Sequence, residues 1–133
     1  MKLVALPLLL VLFCMGCSST GTVTSEQLKY TQWQLSKVNG LAIPVSKTAS
    51  LRFIEAMQVN GFAGCNKFFG EGALSEDTLT VNKLGMTRKS CGEQVDAFEQ
   101  QLLSALKEGA AITLTAEQLT LQGEHHFTFI AKN

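Results

Sequence analysis

"LTAEQLTLQGEHHFTFIAK", residues 114 to 132, carries the pattern that decides the fold. Leu114 opens an apolar segment, a polar turn follows, and Leu119 to Gln122 resumes it. After a second turn, Phe127 and Phe129 share one face. Alternation with period 2 between turn residues is the mark of half-buried strands. The last strand is expected to lie antiparallel to the one at Leu119 to Gln122. An earlier stretch, "LSEDTLTV" (Leu74 to Val81), has the same layout: leucines at its first and sixth positions, an acidic residue at its centre, and Leu-Thr before an aliphatic residue. Both read as strand, polar turn, strand. A shared physical requirement for hairpins explains the likeness at least as well as a duplication does.

Upstream, "WQLSKV" (Trp33 to Val38) sets Trp33 and Leu35 on one side and Gln34 and Ser36 on the other. Asn39-Gly40 follows, a pair suited to the positive backbone dihedrals of a type I′ turn. "LAIPV" returns from that turn, and Pro44 confines the return to an edge or a loop. "SLRFI" (Ser50 to Ile54) and "MQVNGFAG", separated by Glu55-Ala56, read as a further hairpin. Between the hairpins lies "EQVDAFEQQLLSALKEG", where Val95, Phe98, Leu102 and Leu106 recur at helical spacing. Glu93 and Asp96 in its first turn and Lys107 in its last suit the helix dipole, and Gly109 ends it. The expected class is mainly β (α+β). It is a small curled antiparallel sheet or barrel-like domain with one amphipathic helix plugging its open end or covering one side.

The chain begins with Met1-Lys2, an apolar run from Leu3 to Met15, and Gly16-Cys17 before the polar "SSTGTVTSEQ". The run is shorter than the ~20 residues of a comfortable bilayer span, so residues 1–16 read as a cleaved signal peptide. A small residue before a cysteine at the end of such a run is similar to the bacterial lipobox, which makes Cys17 the expected lipid site. Cys14 and Met15 depart from the preferred residues there, and ordinary signal-peptidase cleavage or an uncleaved anchor are the alternatives. Ser18, in place of the Asp that retains lipoproteins in the inner membrane, points to the periplasmic face of the outer membrane. Residues 17–27 are expected to be a lipidated flexible tether, and residues 28–133 one folded domain.

With 11 basic and 11 acidic residues the chain has no net charge, so no global field attracts nucleic acid. His125 and His126 are expected on a strand, pointing to opposite faces, where they do not readily share a metal; one of them with a Cys or Glu is the alternative. Asp77 and Asp96, the two aspartates, lie far from them in sequence. No nucleophile elbow, zinc-protease helix or Walker loop is present. Glu71 and Glu76 are the candidates for a paired-carboxylate hydrolase, and a solvated loop explains them more simply. No catalytic residue, metal or cofactor is expected.

"GFAGCNKFFGEG", residues 61 to 72, raises the question of a phosphate-cradling loop. No helix follows it, so bulges, bends and close backbone approach explain its glycines better. In a curled sheet Phe68 and Phe69 point to opposite faces. The plainer reading covers both with neighbours; the sharper one leaves one of them exposed for recognition. Cys65 and Cys91 form an even pair in an oxidising compartment, which favours a disulfide. A reactive free Cys65 and two buried thiols are the alternatives.

The residues "GFAGCNKFFGEG" followed by "LGMTRKSCGEQVDAFEQQLLSAL" resemble the META domain family over about Leu28 to Ile130. The likeness rests on Gly64-Cys65-Asn66 with Phe68 and Gly70, then Met86-Thr87 leading to Cys91 and a helix. It implies a small barrel-like fold, a lipoprotein start, and structural roles for Gly64, Cys65, Asn66, Thr87 and Cys91. It also implies an association with heat shock and novobiocin resistance, and it supplies no catalytic activity. The expected partners are the membrane, through the lipid, and an unidentified envelope protein or component, with the domain monomeric. A carrier of a small apolar ligand in or near the barrel is the alternative.

Overall fold

The computed structural model describes residues 22–44 and 48–133; the expected signal peptide and Cys17 lie outside them. A single turn of helix, α1 (Ser25–Leu28), precedes β1 (Gln32–Val38), β2 (Leu41–Ala42), β3 (Ser50–Phe53), β4 (Gln58–Phe62), β5 (Lys67–Ser75) and β6 (Thr78–Met86). The long helix α2 (Glu93–Glu108) then leads to β7 (Ala110–Leu114), β8 (Gln118–Gln122) and β9 (His126–Ala131). Each strand from β3 onward pairs antiparallel with the next, β3 also pairs with β1, and β9 returns to β1. The sheet is therefore a closed barrel of eight strands, with β2 a short stub on β1.

The turns follow their residues. Asn39-Gly40 joins β1 to β2 with φ of +51° and +78°, and Glu76-Asp77 joins β5 to β6 with φ of +49° and +58°. Both pairs have the positive φ values of a type I′ turn, whose twist matches that of the flanking strands. On β6, Lys83 has φ of +50° where the ladder with β5 slips beside Gly70, which marks a bulge.

Alternation sends Trp33, Leu35, Leu51, Phe53, Val59 and Phe68 into one buried cluster with Leu79, Val81, Ile112, Leu119, Leu121, Phe127 and Phe129. Full burial of such a side chain contributes about 1.5–3 kcal/mol, and an eight-stranded barrel is just wide enough to be filled this way. β6 and β7 share only the pairs Thr78↔Ala111 and Leu79↔Ala110. Along the remainder of β6 the wall's neighbour is α2, which adds Phe98, Leu102, Leu103 and Leu106 to the core.

Two local expectations are corrected. The folded part begins before Leu28: the Val23 N–H donates to Asp77 Oδ1 at 2.7 Å, and Val23 packs against the core. Thr24 and Gln27 form a reciprocal capping box that holds α1, so residues 23–27 are not a free tether. His125 lies in the β8–β9 turn rather than on a strand, and β9 starts at His126. Asn39 holds that turn, its Oδ1 accepting from the His126 N–H at 2.8 Å and its Nδ2 lying 3.1 Å from His125 Nδ1.

Candidate functional site

The sequence-predicted residues converge where the β4–β5 loop meets the approach to α2. Gly64 has φ of +105°, and a Cβ there would stand 3.1 Å from Phe98 Cδ1. Glycine thus permits both the turn and the close seating of the helix. Beside it, Cys65 and Cys91 are joined in a disulfide with Cα atoms 5.8 Å apart.

Asn66 and Glu99 are the two buried polar side chains among the described residues. Glu99 accepts three N–H groups: from the Cys65 backbone at 3.2 Å, and from the Asn66 backbone and Asn66 Nδ2, each at 2.6 Å. The second Nδ2 hydrogen goes to the Lys89 carbonyl at 2.9 Å. Asn66 Oδ1 accepts from the Lys89 N–H at 2.7 Å and the Thr87 hydroxyl at 3.0 Å. The amide therefore uses both donors and both acceptor positions. Thr87 extends the join to β5, its backbone N–H donating to the Lys67 carbonyl and its Oγ1 accepting from the Lys67 N–H.

At the start of α2, Asp96 accepts from the Ser90 hydroxyl at 2.6 Å and the Cys91 N–H at 2.9 Å. The Ser90 hydrogen bond, followed by that of Cys91, holds its carboxyl below the ordinary aspartate range against a small opposing effect of burial. No buried side-chain nitrogen or oxygen among the described residues lacks a partner. Gly64, Cys65, Asn66, Thr87, Cys91 and Glu99 thus form a clasp closed upon itself. It orders the β4–β5 loop against the approach to α2.

Phe68 and Gly70 stand apart from the clasp. Phe68 fills the barrel interior, and a Cβ on Gly70 would run into the Val81 side chain. Glu71 pairs with Lys83 at 3.3 Å while Glu76 sits in the β5–β6 turn, so these carboxylates do not converge. Glu99 was missing from the expected residues. Its signal was a charge lodged between Phe98 and Leu102 in the apolar stripe of the helix, where an unpaired carboxylate would be costly.

Two concave surfaces lie near these elements, the second bordered by Glu99 of the clasp. On the outer wall of β1, β3, β4 and β5, a groove of about 620 Å³ is lined by Phe62, Phe69, Arg52, Lys67 and Lys132. Phe69 is 61% exposed. Between the end of β6 and α2, a cleft of about 720 Å³ has Leu84, Met86 and Leu103 among charged residues of both signs.

The fold is a closed β-barrel with one helix in its wall, latched by a disulfide and a buried Asn–Glu pair. The chain belongs to the META domain family, whose model matches residues 26–133. It is 41% identical over 125 residues to Heat shock protein HslJ of Escherichia coli (strain K12), covering 91% of this chain and 89% of that protein. Two solved NMR structures share the fold. One has a TM-score of 0.72 at 38% identity, covering 82% of this chain and 95% of its own. The other, from Burkholderia xenovorans, has a TM-score of 0.66 at 25% identity, covering 82% and 86%.

Proposed function

We propose that this protein is a non-enzymatic, heat-shock-associated module of the bacterial envelope, working through its outer wall by binding a protein or another envelope component. A lipid on Cys17 would hold it on the periplasmic face of the outer membrane. The observation that carries the reading is the division of the polar groups: the buried ones are spent on the clasp, while the wall presents an aromatic ring and cations to solvent. The name of the Escherichia coli relative supports the association with heat shock.

The test is photo-crosslinking in heat-shocked cells from a photoreactive residue replacing Phe69, with a second one replacing Thr113 on β7. A discrete adduct from position 69 alone is expected. Equal adducts from both positions, or none from either, would sink the reading.

The carrier alternative draws its support from the β6–α2 cleft with its apolar floor, since Phe53, Phe68, Phe127 and Phe129 fill the barrel interior. Native mass spectrometry with envelope lipid extract or novobiocin checks it: a bound species lost in Ala97→Arg, an exposed position on the cleft, favours the carrier. The same experiment addresses the implied role in novobiocin resistance.

A further inference from the structure

We infer that the groove on the outer wall is a binding site for an organic anion that carries a planar ring. This rests on the reading of that wall as the working surface and gives its ligand a chemical class.

The ring seat is built into the sheet. Phe69 pairs with Gly85 across β5 and β6, and a Cβ on Gly85 would stand 2.5 Å from Phe69 Cζ and 2.8 Å from Cε2. The Phe69 ring therefore lies over bare backbone, as aromatics do when they cover a cross-strand glycine. With the ring supported from below and largely exposed, an aromatic partner can stack on it without ordering a loose side chain.

The anion seat comes from register. Lys67 is two residues from Phe69 on the same strand, and Arg52 faces Asn60, which faces Phe69. Strand geometry puts those backbones about 7 Å and about 10 Å from that of Phe69, within the reach of long side chains. Lys132 extends the charge beyond β1, where its N–H donates to the Gln32 carbonyl. No aspartate or glutamate lines the groove, and the one ion pair among the described residues is Lys83 with Glu71, outside it. A neutral chain thus gathers three cations around an aromatic platform, which selects against cationic ligands as well as for anionic ones. The groove volume suits a single drug-sized molecule.

The test is an amide-shift titration of the ¹⁵N-labelled protein with 1-naphthalenesulfonate, neutral 1-naphthalenemethanol and cationic 1-naphthylmethylammonium. The sulfonate is expected to shift Asn60, Gly61, Lys67, Phe69 and Gly85 with a Kd on the order of 1 mM, and to weaken as salt is raised. Phe69→Ala should weaken it about fivefold, and Lys67→Glu, an exposed change that leaves the fold untouched, by a similar factor.

Equal responses to the three probes, no shifts at millimolar sulfonate, or shifts centred on Leu84, Met86 and Leu103 would overturn the proposal. So would the same shifts produced by phosphatidylglycerol vesicles and not by the sulfonate, which would make the wall a lipid contact. If the sulfonate fails while crosslinks from position 69 persist, the ligand class falls and the binding reading stands. If the sulfonate binds and the crosslinks are absent, the binding reading falls instead.

Discussion

Two residues separate Asn66 from Phe69, and the two belong to different worlds. Asn66 is buried with every hydrogen-bonding position filled, while Phe69 is 61% exposed on the wall. Phe68 between them repeats the contrast, since it faces Gly61 across β4 from inside the barrel as Phe69 faces Gly85 across β6 from outside. One sequence motif therefore serves two purposes, and strand alternation divides them. Residue density in a motif does not say which positions hold the fold and which meet a partner; the face does.

Mutations can break that division at the clasp first. Glu99→Leu would strand three buried N–H donors, each costing about 1–3 kcal/mol when left unpaired. A loss of about 4 kcal/mol is expected in chemical denaturation, and a loss below about 1 kcal/mol would make the clasp incidental. Replacing Cys65 and Cys91 together by alanine opens a crosslink spanning 26 positions, expected to cost about 3 kcal/mol on a chain-entropy estimate. The midpoint of urea unfolding in the double variant, compared with the oxidised parent, checks it.

Asp96 gives a smaller and pH-dependent effect. Its pKa is lowered in the fold, so its contribution is present above the unfolded value near 4 and is lost as pH falls through the folded value. Between neutrality and pH 5, Asp96→Asn should leave the slope of stability unchanged. Below about pH 4 the parent should lose stability faster than the variant, as read by thermal unfolding across that range. Phe69→Ala sharpens the comparison from the other side. With most of its ring already in water, its removal should change stability by less than about 0.5 kcal/mol, and a large loss would place Phe69 with the framework.

Much of the fold was legible because it is written in short periods. Trp33 and Leu35 alternate, Phe127 and Phe129 alternate, and Val95 to Leu106 recur at helical spacing; each pattern became the element it suggested. Closure of the barrel was harder to read, because the pairing of Trp33 with Ala131 depends on register across nearly the whole chain. The folded start at Val23 was written in Thr24 and Gln27, but a polar segment beside an expected tether hid the capping box. Glu99 was hidden for a different reason: two of its three partners are backbone N–H groups of a loop 34 and 33 positions away, which have no letter in the sequence. The exposure of Phe69 turned on the absence of a covering neighbour, which only the assembled wall reveals.

The pairing of β1 with β9 has a consequence for biosynthesis. The first long strand finds its final neighbour only when Phe127 to Ala131 have been made. Until then β1 and β8 each present an unpaired edge of the kind that recruits other chains. The module must therefore finish folding after its synthesis is nearly complete. Its most aggregation-prone interval is that wait, and a chain truncated before β9 would remain in it.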